Sequence, residues 1–319
     1  MGAGPVARRA PALTAQPFAP LASFAPAPLR RLLAEGRLAL RSGPLTVRIT
    51  SSEAIVARNL ALLYRQHPAA DAPPFADFHV QIARPAGPRR WLRPQVEFRL
   101  DGHAPFLSLP AAQAFALLEW GMNWCIASHC HQYLVLHAAV LARGEDAVLL
   151  PAPPGAGKST LCAFLAHRGW RLLSDELALL EPGSARVWGL ARPINVKNAS
   201  IGLLRTALPE AVFADAVPDT KKGTVAHIAP PPESVAEAAL PARLRWIVTP
   251  RYQAGAPLSA TPIGRPEAMA MLIDNAFNYD VLGEQAFVTL TDLLADVPCV
   301  DLHYARLEDA QGWFEALGR

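Results

Sequence analysis

The sequence predicts an α/β chain in two parts: a layered α/β domain over residues 132–319, carrying a phosphate-binding loop, behind a small α+β unit over 29–131. Three observations predict it. A short apolar run at 147–150 ends in a Pro/Gly loop, and an amphipathic segment opens at Lys158, giving the strand, loop and helix order that such a loop needs. Strand-like and helix-like segments then alternate to the C-terminus, the pattern of helices layered on a sheet. Before residue 132, period-two strands precede one long apolar helix, the pattern of an α+β unit.

In chain order, residues 1–28 are Ala/Pro-rich with a few arginines and read as a disordered or loosely attached arm. Residues 45–49 alternate as a strand, and Ser51 and Ser52 can cap a helix running to about Tyr64. Strands follow at 78–83 and 95–100, then a turn at Asp101-Gly102, a short strand at 106–109 and a helix over 110–129. A strand at 134–142, a turn at 143–146 and the strand at 147–150 lead into the loop. The helix from Lys158 ends near Arg168, with Gly169 as its stop. The next strand, 170–173, is expected to lie parallel to and beside strand 147–150. Strands at 243–248 and 297–304 and helices at 265–276, 281–294 and 307–317 complete the domain.

Composition narrows the function classes. Thirty Lys and Arg against 27 Asp and Glu give a net charge of +3, with the basic residues scattered rather than striped, so no nucleic-acid partner is expected. The most apolar long stretch, 111–127, is interrupted by Gln113, Glu119 and Asn123. It falls short of the roughly 18 unbroken apolar residues of a membrane span, so a buried helix is expected and no membrane association. The four cysteines, Cys125, Cys130, Cys162 and Cys299, form no paired framework and no C-x-x-C motif, and no apolar leader precedes them. Both points suggest a reducing cytoplasm. His129, Cys130 and His131 stand near Cys125, but no second ligand pair appears elsewhere and a metal cluster is not expected.

The loop runs through Pro154, Gly155, Ala156 and Gly157 to Lys158, Ser159 and Thr160. Glycines let successive N–H groups turn inward around a phosphate, and the new helix aims its positive N-terminus at the same anion. Lys158 would reach the β- and γ-phosphates of ATP, and the Ser159 hydroxyl would ligate Mg²⁺. Ala152 stands where the G-x-x-x-x-G-K-[ST] pattern has its first glycine, which a negative φ would tolerate. Ser174, Asp175 and Glu176 follow strand 170–173, at the carboxyl edge where open sheets bind ligands. If the two strands are neighbours, these acids lie close to Lys158 and Ser159 and supply a metal carboxylate and a base for a hydroxyl proton. His137 lies on the incoming strand. Arg192 and Lys197 share the segment 192–198, and Lys221 and Lys222 occupy a second cation-bearing turn at 219–224. Either cationic segment could clamp a transferring phosphate.

Read together, Leu136-His137-Ala-Ala-Val-Leu-Ala, Pro-Gly-Ala-Gly-Lys158-Ser159-Thr and Arg168-Gly-Trp-Arg-Leu-Leu-Ser-Asp175-Glu176 resemble the catalytic domain of HPr kinase/phosphorylase. Closer still is the HPr-related kinase A subfamily, which Arg192-Pro-Ile-Asn-Val-Lys197-Asn and Lys222-Gly-Thr-Val-Ala-His227 also resemble. The resemblance spans roughly residues 134–310 and implies the fold shared with PEP carboxykinases. It implies that Asp175 accepts the hydroxyl proton, Glu176 binds Mg²⁺ alongside Ser159, and His137 organises the acidic pair. Two departures stand out. An Asp-Glu pair replaces the family's Asp-Asp, and the glutamate of its E-[IV]-R-G-L-G stretch has no counterpart in Gly189-Leu-Ala-Arg-Pro. The function implied is an ATP- and Mg²⁺-dependent kinase acting on a hydroxyl of a peptide, protein or small molecule, with Lys197 or Arg192 as the mobile cation. The alternative is a nucleotide-binding scaffold for a PqqD-like peptide-binding partner. The family's oligomeric habit implies a homo-oligomer.

Overall fold

The computed structural model of the chain describes residues 18–87, 93–153 and 155–317. The first part of the chain builds β1 (Ala19–Pro20), α1 (Pro26–Ala34), β2 (Leu38–Ser42), β3 (Leu45–Ser51), α2 (Ala54–Leu63), β4 (Pro68–Asp71), β5 (Phe78–Ala83), β6 (Gln95–Leu100), β7 (Leu109–Pro110) and α3 (Ala114–His129). Among the described residues the sheet order is β1-β4-β2-β3-β5-β6-β7, antiparallel except where β3 runs parallel to β5. Residues 18–28 correct the expectation of a loose arm. Leu21 is buried and its N–H donates to His67 O at 2.9 Å. Leu29, Leu32 and Leu33 of α1 form a core stripe behind a proline in the first turn. The Ala/Pro bias hid a helix-period pattern. The rest of the arm, 1–17, lies outside the described residues.

The α3 helix is apolar on most of its surface because it is buried between its own sheet and the second part of the chain. Phe115, Leu118, Met122 and Ile126 share one cluster with Phe98 of β6 and with Val135, Leu177, Leu179 and Leu190. Gly121 lets α3 approach β6 closely: a Cβ there would lie 2.1 Å from the Phe98 ring. The variant Gly121→Ala should therefore lose about 1–3 kcal/mol to overpacking, despite the better helix propensity of alanine. A chemical-denaturation midpoint at or above wild type would contradict this close approach.

The second part runs β8 (Leu134–Leu136), β9 (Ala138–Arg143), β10 (Asp146–Pro151), α4 (Lys158–Ala166), β11 (Arg171–Ser174), β12 (Ala178–Leu180), β13 (Arg186–Trp188), β14 (Ile194–Lys197) and α5 (Ala199–Ala207). It continues with β15 (Val217–Thr220), β16 (Gly223–Ile228), α6 (Pro232–Ala236), β17 (Ala242–Tyr252), β18 (Ser259–Pro262), α7 (Arg265–Asp274), α8 (Tyr279–Leu282), α9 (Glu284–Asp296), β19 (Cys299–Tyr304) and α10 (Leu307–Ala316). The main sheet has the order β11-β9-β10-β17-β13-β12-β8, with β19 on the far half of β17 and β18 outside it. Strands β14, β16 and β15 make a separate small sheet.

Central strands buried on both faces read as unbroken apolar runs. Ala139, Leu141, Val148 and Leu150 face α4 and α10. The alternate residues Val140, Ala142, Ala147 and Leu149 face α7 and α9. Three local expectations are corrected. The strand expected over 134–142 breaks at His137, so that β8 pairs β12 while β9 pairs β10 and β11. The strand expected at 106–109 is reduced to Leu109–Pro110. The helix expected over 281–294 divides at Gly283, whose φ of +54° no continuous helix accepts.

The larger correction concerns neighbours. Strand β11 is parallel to β10, as expected, but not beside it: β9 lies between them, antiparallel to both. The tight 143–146 turn returns β9 directly onto one edge of β10, and β17 occupies the other. The crossover through α4 therefore places its strand one position further out, about 4.8 Å more than expected.

Candidate functional site

The loop after β10 is held from two sides. The Tyr252 N–H, at the end of β17, donates to Ala156 O at 3.0 Å, and the Ala156 N–H closes a turn onto Pro153 O at 3.2 Å. Gly155 and Gly157 have φ of +90° and +91°, which glycine adopts without strain. At Gly157 a Cβ would lie 2.9 Å from the Tyr304 hydroxyl oxygen and 3.1 Å from Tyr252 Cβ. This left-handed glycine caps α4, so the first N–H groups of the helix open towards the loop. Ala152 is buried and does not adopt a positive φ, so a Cβ fits where the motif has glycine. Pro154 lies outside the described residues.

Lys158 opens α4 with only 8% of its surface exposed, and its Nζ has no hydrogen-bond partner among the described residues. Burial lowers its pKa, opposed by the charges of Asp175 and Glu176. Despite the intervening strand, the acids remain within electrostatic reach because they lie in the turn beyond β11. The Ser174 hydroxyl accepts the Leu177 N–H at 3.0 Å and closes that turn. Asp175 is buried, and its Oδ2 accepts the Asn195 N–H at 2.8 Å. Burial, then the neighbouring Glu176 charge, pushes its pKa up to about 7. Asn195, Lys158 and the Ser159 hydroxyl act the other way, although no well-formed hydrogen bond joins Ser159 to Oδ1. The Thr160 hydroxyl instead donates to Ser200 Oγ at 2.8 Å, tying α4 to α5.

Glu176 is half-buried and accepts a hydrogen bond from the side-chain amide of Asn123 on α3. His137, at the break between β8 and β9, donates its backbone N–H to Asn275 O at 2.7 Å and packs edge-on against Phe277. Burial and then the Lys158 charge pull its pKa down to about 4, so its ring is neutral at pH 7.

The two expected cations part company. Lys197 is half-buried at the end of β14, forms no ion pair among the described residues, and lies within electrostatic reach of both Lys158 and His137. Arg192 is corrected: it is not mobile. It donates from Nη2 to Glu119 Oε2 at 2.7 Å and to Glu119 O at 3.0 Å. Its Nη1 donates to Asn123 Oδ1 at 2.5 Å and its Nε to the Tyr64 hydroxyl at 3.3 Å. The Tyr64 hydroxyl itself donates to Glu119 Oε1 at 2.7 Å. A guanidinium whose three nitrogens all have partners in a buried network is held in place rather than free to follow a moving phosphate.

Sequence reasoning assigned no role to Asn123, Asn195 or His227. Asn195 and His227 face each other across β14 and β16. Both are buried, and both side-chain polar atoms of Asn195 and the His227 Nε2 lack partners among the described residues. They line a small cavity of about 20 Å³ with Asp175, Glu176, Trp120 and Arg192. One signal was legible: Glu119 and Asn123 stand one turn apart on an otherwise apolar helix, where buried polar residues need partners.

His67, beside this network, carries a pH dependence. Its ring bonds Ala191 O at 3.0 Å, and burial pulls its pKa down to about 3. The unfolded chain takes up this proton near the ordinary histidine value of about 6.5, while the folded chain resists until about 3. Stability should therefore fall as pH drops below 6.5. A His67→Gln variant should show a flatter melting-temperature profile between pH 6.5 and 4; an unchanged slope would assign the acid sensitivity elsewhere.

The donor set suits a Mg²⁺-nucleotide. A buried ammonium without a partner and glycine-lined amides match a polyphosphate, and the oxygens of Ser159 and Glu176 match a hard divalent cation. Among the described residues, no cluster of three His, Cys, Asp or Glu side chains forms a metal cage, and no helix is long and apolar enough to cross a membrane.

Among solved structures, the chain is similar to the HPr(Ser) kinase/phosphatase from Coxiella burnetii at 12% identity, over 57% of this chain and 92% of that one, with a TM-score of 0.25. A score of that size establishes no shared fold. No protein-family model and no curated protein matches the chain.

Proposed function

We propose that this protein is an ATP- and Mg²⁺-dependent kinase that transfers the γ-phosphate to a hydroxyl of a peptide, protein or small-molecule acceptor. One observation carries the reading: the unpartnered Lys158 ammonium, at the N-terminus of a glycine-capped helix, lies within electrostatic reach of a buried aspartate whose charged form is disfavoured. Lys158 and the loop amides offset charge on the phosphate oxygens, and Lys197 is the free cation that can follow the transferring group. Asp175, held by the Asn195 N–H, takes the acceptor's proton as the acceptor oxygen bonds to the γ-phosphorus. The β–γ bridging bond breaks and its electron pair leaves with ADP. Glu176 and Ser159 would hold Mg²⁺, which when bound neutralises charge on the β- and γ-oxygens.

Incubation with γ-labelled ATP, Mg²⁺ and hydroxyl-bearing acceptors tests the reading, with label on the acceptor as the expected result. Label released to water whether or not an acceptor is present would make the protein an NTPase. Tight ATP binding with no transfer would make it a scaffold, the role in which a PqqD-like partner would fit.

A further inference from the structure

A second, open cavity of about 460 Å³ is lined by Glu176, the second acid of the pair, while Asp175 lines the smaller cavity. Glu176 and His137 are among its lining residues. One wall is α3, where Trp120 and Trp124 stand one turn apart; the other carries Phe277 and Val281, from the segment between α7 and α8 and from α8. Phe277 is 52% and Val281 65% exposed, although both are large and apolar. Lys222, on the β15–β16 turn, lines the same space, with its Nζ 5.6 Å from the centre of the Trp120 ring. No acidic group pairs with Lys222 among the described residues. The space is therefore an aromatic slot with one carboxylate, Glu176, and an unpaired cation, Lys222, on its lining. Its volume falls within the range of small-molecule sites.

We infer that this cavity is the acceptor site of the proposed kinase, and that it takes a low-molecular-weight alcohol with an aromatic or aliphatic body and a carboxylate. The alcohol lies at Glu176, next in the chain to Asp175, the body lies against the tryptophans and Phe277, and the carboxylate meets Lys222. The specificity rests on charge: Lys222 offers an anion a partner that a neutral alcohol cannot use. The inference depends on the kinase reading only for the fate of the hydroxyl.

The test uses 4-(hydroxymethyl)benzoate as probe, with benzyl alcohol and serinamide as controls. Binding is followed by calorimetry on the full chain with a non-hydrolysable ATP analogue and Mg²⁺, and transfer by γ-labelled ATP. The probe should bind saturably and better than either control. Phe277→Asp should weaken probe binding about tenfold or more, and Lys222→Ala should erase its advantage over benzyl alcohol. Both replaced side chains are exposed, and ATP affinity measured alongside reports that each variant is folded. No saturable binding to the wild type, or binding indifferent to both variants, overturns the inference. Phe277-dependent binding without labelled product keeps the cavity and removes the kinase. Label on serinamide or a serine peptide with a KM that Phe277→Asp leaves unchanged removes the cavity and keeps the kinase.

Discussion

Replacing Asp175 with asparagine is expected to lower phosphoryl transfer by about 10²–10⁴-fold, the usual contribution of a positioned general base, while leaving ATP affinity within about threefold. The side chain keeps its shape, and the amide can still accept the Asn195 N–H at one atom. What disappears is the group that takes the proton. Because burial and Glu176 raise the Asp175 pKa, the wild-type rate should also climb as pH rises from acid towards neutrality, since only the charged form can act as base. That acid limb should vanish with the residue. A variant that turns over at the wild-type rate, or keeps the limb, would remove Asp175 from the chemistry.

The second large effect concerns the tie between α3 and the site. Arg192 and Glu119 are both nearly buried, with side-chain exposures of 9% and 5%. Removing either partner leaves the other as an uncompensated buried charge, at a cost of about 3–5 kcal/mol. Arg192→Met should therefore lower the denaturation midpoint sharply. Arg192→Met combined with Glu119→Leu should be less destabilised than the sum of the two single changes, the mark of a coupled pair. Loss of Arg192 also frees Asn123, the side chain that holds Glu176, so molecules that still fold should need more Mg²⁺ for half-maximal transfer. If Arg192→Met kept full stability and lost only turnover, the arginine would be a phosphate clamp after all.

Much of this was legible in the residues. The strand, loop and helix around Lys158 follow from apolar run, glycines and amphipathic period, all local signals, and the structure has β10, a left-handed Gly157 and α4 in that order. The acidic turn after β11 is local too, set by a strand ending in Ser174 with a hydroxyl able to close it. The strand count between loop and acids was not legible. An apolar run of β-branched and leucine residues does not say which edge it will occupy, and only the sheet order decided that β11 would join the outer edge of β9 rather than β10. Arg192 shows the same limit at one residue. Beside Ile-Asn-Val-Lys it looked like a free cation, yet its partners Tyr64, Glu119 and Asn123 lie far away in the chain.

Backbone conformation and chemistry that depend on near neighbours were therefore set by the amino-acid order: the glycine turn, the buried-strand pattern and the identity of the acids and the lysine. Which cation is locked and which is free, and that a helix from the first part of the chain holds a carboxylate of the second, became decidable only in three dimensions. The reason is physical. Burial and charge pairing depend on what is packed within a few ångströms, and for Glu176 and Arg192 those neighbours come from α3, more than fifty positions earlier.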